Sequence, residues 1–145
     1  MEPTRTNFVS AESLNSFPDK AYFNWLGYRT DIKELLEKSD IFLFPSYYME
    51  GLPKSCIEAN AVGRPIITTD SVGCRDTVID GYNGFIIPVK DSKALAEKIA
   101  ILAENEELRI KMGVNARKYA EDNFDVQDVI RKHLAIYQEL LSTSK

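Results

Sequence analysis

The sequence predicts an α/β domain whose parallel sheet is flanked by helices, and three observations predict it. Short β-branched or aromatic runs, at 41–44 and 65–69, alternate with a segment in which Ile57, Ala61 and Val62 share a helical face. The runs are bounded by Pro45, Pro65, or turn dipeptides such as Asp80-Gly81 and Asn83-Gly84. Beyond 87 the period is helical, with Leu95, Ile99 and Leu102 on one stripe. Strands separated by helices give a parallel sheet, and such sheets bind ligands at the carboxyl ends of their strands.

Taken in order, residues 1–20 are polar, hold Pro3 and Pro18, and lack sustained periodicity, so they read as an irregular arm or linker. The domain proper is expected over 21–145. Residues 22–26 alternate well enough for a strand, closed by Gly27. Asp31 with Glu34 makes a capping-box-like start for a helix through Lys38. Strand 41–44 ends at Pro45, residues 47–52 form a loop, and Pro53 opens a helix to about 62, where its missing N–H costs nothing. Strand 65–69 follows, then a short helix over 75–79 and a strand over 85–87. Asp91 or Ser92 caps the next helix, and Asn105 caps another whose first turn holds Glu106 and Glu107. Asp125 caps the last, on which Val129, Leu134, Ile136, Tyr137 and Leu140 supply apolar surface.

Composition narrows the function. A length of 145 residues allows one core, and 44% hydrophobic with 28% charged residues is ordinary for a globular protein. A net charge of −4 argues against general nucleic-acid binding. Cys56 and Cys74 lack metal-site spacing and read as reduced, small apolar residues. The one histidine, His133, falls in the last helix beside Lys132 and reads as a surface residue. No metal site is expected. With no apolar run near the ~18 residues of a membrane span and no leader pattern, the expected location is cytoplasmic, with peripheral contact at the inner face of the membrane left open.

The chemistry concentrates in 42–58. A strand, a glycine-bearing loop and a helix start put free N–H groups and positive potential at a strand's carboxyl end, which suits phosphate. Glu58 lies more than one turn into that helix, where its carboxylate can accept bonds from hydroxyls beyond the phosphates. That geometry suits a sugar nucleotide.

These residues also carry a resemblance. Glu50-Gly51-Leu52-Pro53, Glu58-Ala59, the run Gly63 to Asp70, Gly73-Cys-Arg-Asp76 and Asp80-Gly81-x-Asn83-Gly84-Phe85 resemble the carboxyl-terminal half of a retaining GT-B glycosyltransferase of family 4. The similarity runs from about residue 22 to the carboxyl end. It implies a Rossmann-like donor domain and a nucleotide-sugar substrate, most readily a UDP-sugar, with no separate cofactor.

The resemblance assigns roles as well. Glu58 would accept bonds from the ribose hydroxyls. Glu50 would lie at the donor sugar, as a contact or as a stabiliser of developing positive charge, and is the catalytic candidate. The amides of Gly51 and Leu52 would meet the donor sugar or distal phosphate, while Pro53 shapes the turn. Gly27, Tyr28 and Arg29 correspond to a loop near the nucleobase, although Arg29 reads equally as an exposed residue before a helix. Asp76 stands where the family often has a longer acid. Lys54 reads as exposed, Arg64 as a packing residue, and Tyr47 and Tyr48 as core or rim aromatics.

By the same resemblance, an acceptor-binding domain, two central strands and the cationic residues for the diphosphate precede the matching part in a family member. Unpaired strand edges would then favour a homo-oligomer or pairing with a separate amino-terminal half. The expected function is the donor-binding part of a transferase acting on a glycan or lipid-linked acceptor in surface polysaccharide synthesis, with little activity alone. Two rivals are a non-catalytic nucleotide-binding or assembly module and a GT-B sugar-nucleotide epimerase fragment.

Overall fold

The computed structural model describes residues 9–16, 22–48 and 51–143, and Cα packing divides the chain into units 1–32 and 33–145. In the first unit, helix α1 (Ala11–Asn15) forms within the stretch expected to be irregular, capped by the Ser10 side chain accepting from the Ser13 amide at 3.1 Å. The strand expected over 22–26 does not form: no residue there joins a ladder. Alternation makes a two-faced segment but supplies no neighbouring strand, and Tyr22, Trp25 and Leu26 are all exposed. The helix expected after Asp31 appears as α2 (Ile32–Lys38).

The second unit is built on three parallel strands in the order β1 (Phe42–Phe44), β2 (Ile66–Thr69), β3 (Gly84–Ile87). Ile66 pairs with Phe42 on one side and with Gly84 on the other. Helix α3 (Lys54–Ala61) links β1 to β2. The 75–79 helix shrinks to a 3-10 turn at Arg75–Thr77. It ends where Val78 takes extended backbone (φ −136°, ψ 134°), and the Thr77 carbonyl accepts from Asn60 Nδ2 at 2.9 Å. After β3 come α4 (Ser92–Glu104), α5 (Glu106–Asn123) and α6 (Val126–Thr143). The expected caps are in place: Asp91 accepts from the Ala94 amide, Asn105 from Leu108 and Asp125 from Gln127, each at 2.9 Å.

Strand alternation sorts the core onto two faces. Ile66 joins Cys56, Ala59, Leu36 and Val78 under α3, whereas Ile67 joins Ile87, Leu102 and Met112 under α4 and α5. Both cysteines are buried, and His133 is exposed. Among the described residues no helix is long and apolar enough to cross a membrane.

Helix α5 also packs on α3, and at the turn that leaves α3 glycine meets glycine. A Cβ on Gly113 would stand 2.5 Å from the Gly63 carbonyl oxygen, and one on Gly63 would stand 3.1 Å from that of Gly113. Arg117 Nη1 donates to the Ala61 carbonyl at 2.6 Å beside this contact. Gly→Ala inside a helix ordinarily gains about 1 kcal/mol. Gly113→Ala is expected to invert that sign and lose about 1–3 kcal/mol by forcing the helices apart, read as a lower urea midpoint. An unchanged or higher midpoint would mean that the helices yield without cost.

Candidate functional site

The carboxyl ends of all three strands open on one edge of the sheet, and the β1–α3 loop starts there. Its first residues are held by β2. The Ser46 carbonyl accepts from Thr69 Oγ1 and, at 3.3 Å, from Ser71 Oγ, while the two hydroxyls lie 3.2 Å apart. One residue earlier, Thr68 Oγ1 donates to the Phe44 carbonyl at 2.9 Å. Tyr47 and Tyr48 stack with centroids 4.6 Å apart, half exposed, and Lys90 Nζ sits 4.8 Å above the Tyr47 ring. Tyr47, Lys90, Thr69, Pro45, Ser92 and Leu95 border a shallow cleft of about 210 Å³ at this edge.

Helix α3 begins at the same edge. Pro53, expected inside the first turn, instead occupies the cap position with extended backbone (φ −67°, ψ 118°). Its carbonyl takes the amides of Cys56 and Ile57 at 3.1 and 3.2 Å. The amides of Lys54 and Ser55 therefore precede the first intrahelical bond and lie at the positive end of the helix. Gly51 and Leu52 form an exposed bend ahead of them, and a Cβ on Gly51 would meet nothing within 4 Å. Cys56, Ala59 and Asn60 anchor α3 inward, which leaves Glu58 exposed on the outer side. Among the described residues, no hydrogen bond or ion pair engages its carboxylate. Glu50 lies outside the described residues.

Gly27, Tyr28 and Arg29 belong to the first unit. Gly27 takes a left-handed backbone (φ +67°), Tyr28 is 93% exposed, and Arg29 Nε donates to Asp31 Oδ1 at 2.7 Å. That hydrogen bond, and then the charge of Asp31, push the guanidinium pKa up further, so it remains cationic. After β2, the Gly73 amide donates to Asp76 Oδ2 at 3.2 Å, and Arg75 pairs with Asp70 at 2.9 Å. Asp76 thus closes its own turn. Arg64 Nη2 donates to the Glu37 carbonyl at 3.1 Å, joining α3's exit to α2.

The structure therefore brings Gly51, Leu52 and Glu58 together along the start of one helix. Sequence reasoning did not single out Thr69, Ser71 or Lys90. A hydroxyl-rich strand end was the available signal for the first two, and nothing local marks Lys90. Among the described residues, no group of three or more His, Cys, Asp or Glu side chains could hold a metal ion.

This is the class of parallel α/β domains that present a loop and a helix start to a ligand at the strands' carboxyl edge. Residues 17–119 match the family described as Glycosyl transferases group 1, and the chain belongs to that family. Over 133 residues it is 38% identical to the N,N'-diacetylbacillosaminyl-diphospho-undecaprenol alpha-1,3-N-acetylgalactosaminyltransferase of Campylobacter jejuni, covering 92% of this chain and 34% of the relative. It is 40% identical over 106 residues to the capsular polysaccharide biosynthesis glycosyltransferase CapM of Staphylococcus aureus, covering 73% of this chain and 28% of the relative. The chain thus spans about a third of these relatives' length. The fold is that of Anabaena HepE, solved with UDP: TM-score 0.82, 23% identity, 88% of this chain and 35% of that one. The match is to the carboxyl-terminal portion of family 4 GT-B enzymes, as the motifs led one to expect.

Proposed function

We propose that the chain is the donor-binding part of a retaining glycosyltransferase, receiving a UDP-sugar whose hexose or N-acetylhexosamine passes to a glycan or lipid-linked acceptor in surface polysaccharide synthesis. The observation that carries this reading is Glu58, an exposed carboxylate of α3 with no side-chain partner among the described residues, more than one turn beyond a helix start that offers free amides. An ionised carboxylate has only acceptors and can hold two vicinal hydroxyls at once, as a ribose presents them. The amides of Gly51 and Leu52 would take the distal phosphate or donor sugar, and Glu50 is the catalytic candidate beside the anomeric centre. Gly27, Tyr28 and Arg29 would border the nucleobase.

Two relatives support the substrate class. The Campylobacter enzyme is named for N-acetylgalactosamine transfer to an undecaprenol-linked acceptor, and HepE was crystallised with UDP. An acceptor of that kind would place the reaction at the cytoplasmic face of a membrane. Departure of a nucleoside diphosphate needs cationic groups around its concentrated charge, and in the family these lie outside the matched portion. The chain by itself is expected to bind the donor and to transfer little or nothing.

Calorimetric titration with UDP tests the reading. Saturable binding is expected, and Glu58→Ala should weaken it at least about tenfold, the equivalent of ~1.4 kcal/mol for lost charge-assisted bonds. A folded wild-type chain that gives no heat, or a variant that binds as tightly, would sink the assignment.

A further inference from the structure

We propose that Thr69, with Ser71 behind it, is a positioning residue for the donor: its hydroxyl fixes where the β1–α3 loop departs, so that the Gly51 and Leu52 amides meet the distal phosphate. This role rests on the donor-binding reading above and deepens it. The ladder between β1 and β2 ends at Phe44 opposite Thr68, and Pro45 carries no amide with which to extend it. From there hydroxyls replace amides. Thr68 Oγ1 donates to the Phe44 carbonyl, and Thr69 Oγ1 donates to that of Ser46. Among the described residues no backbone amide reaches the Ser46 carbonyl. Ser71 Oγ, 3.3 Å from that carbonyl and 3.2 Å from Thr69 Oγ1, has one proton to share between them.

Burial gives these bonds their weight. Thr68 and Thr69 are 0% and 1% exposed, and a buried hydroxyl is costly unless it is bonded. Ile66 and Ile67 fill both faces of β2 with apolar side chains. Packing alone would let that pattern continue, whereas the strand changes to threonine where the loop carbonyls need donors. The far end of the loop is anchored separately. Pro53 is buried, its carbonyl takes the amides of Cys56 and Ile57, and Cys56, Ala59 and Asn60 seat α3. Residues 47–52 therefore run between two fixed points, Ser46 and Pro53. Release at Ser46 lengthens the free run and raises the ordering cost when the loop closes on a ligand. Glu58 rides on α3 and keeps its place. The hydroxyls thus bear on the phosphate end of the donor and not on its ribose.

Calorimetry with UDP, and with UMP read by its displacement of UDP, separates the two ends. Thr69→Val keeps the shape and removes the hydroxyl. It should raise the dissociation constant for UDP about threefold to tenfold and leave that for UMP within about twofold of the wild type. Thr69→Ser, which restores the donor, should bind both ligands as the wild type does. Ser71→Ala, outside β2, should show the same selective loss to a smaller degree. Equal weakening of UDP and UMP would reduce Thr69 to a structural residue and overturn the proposal. UDP binding that depends on Glu58 but ignores Thr69→Val would overturn it alone, with the donor reading intact. A folded wild-type chain that binds neither ligand would overturn both.

Discussion

Gly84→Ala is expected to cost at least about 4 kcal/mol, beyond the usual range of single substitutions, and to leave most of the chain unfolded in mild urea. A Cβ at this position would lie 1.9 Å from the carbonyl oxygen of Ile66, and 2.8 and 2.9 Å from its carbonyl carbon and amide nitrogen. Every obstacle is backbone of the central strand, so no side chain can swing aside. Relief requires β3 to move away from β2, which breaks the ladder between them and the flanking bond from the Ile66 amide to the Asn83 carbonyl at 3.2 Å. Gly81→Ala is the control. Gly81 has φ +74°, but its Cβ would meet nothing within 4 Å, so only the left-handed penalty of about 1–2 kcal/mol applies. Equal urea midpoints for the two variants would contradict the steric account.

The second large effect is expected at Asn83, which is wholly buried. Its Nδ2 donates to Asn60 Oδ1 at 2.9 Å and reaches the Thr77 carbonyl at 3.3 Å, while its Oδ1 accepts from the Ile79 amide at 2.7 Å. Asn60, also buried, spans from α3 to the same Thr77 carbonyl. This network joins α3 to the β2–β3 connection through side-chain amides. Asn83→Ala would orphan the Ile79 amide and Asn60 Oδ1 in a dry site, at about 1–3 kcal/mol for each group. A total loss of about 3–5 kcal/mol is expected from the urea midpoint, and Asn60→Ala combined with it should add less than its own separate effect. Strict additivity would show that the two side chains do not act as a unit.

The sequence disclosed what is local. Asp91, Asn105 and Asp125 cap the helices they were expected to cap because a cap bond spans two or three residues. The β-branched runs became β2 and β3, but α3 buries Cys56, Ala59 and Asn60 and leaves Ile57, Ala61 and Val62, the face read from the sequence, only half-buried. Legibility ended where partners are distant. Residues 22–26 have a strand's alternation, but a ladder depends on a neighbour that alternation does not specify. The hydroxyls of Thr69 and Ser71 hold the Ser46 carbonyl across more than twenty residues of sequence. Likewise Asn60 reads from sequence as a polar helix residue, and its burial depends on the loop that folds over it. Pro53 was placed one position too far into α3, since both cap and first-turn positions accept its φ.

The Asn83-Gly84 pair bears on how the molecule ages. It is the one Asn-Gly dipeptide in the sequence, the pairing most prone to deamidation, because a bare glycine amide nitrogen can attack the preceding side-chain carbonyl to close a succinimide. That attack needs the side chain to rotate over its own backbone. Here both ends of the Asn83 amide are occupied, and Gly84 is fixed in β3. The covalent lifetime of this residue is thereby tied to the folded state: each excursion to the open chain exposes it to conversion, and an isoaspartate formed there adds a backbone carbon that β3 has no room to accept.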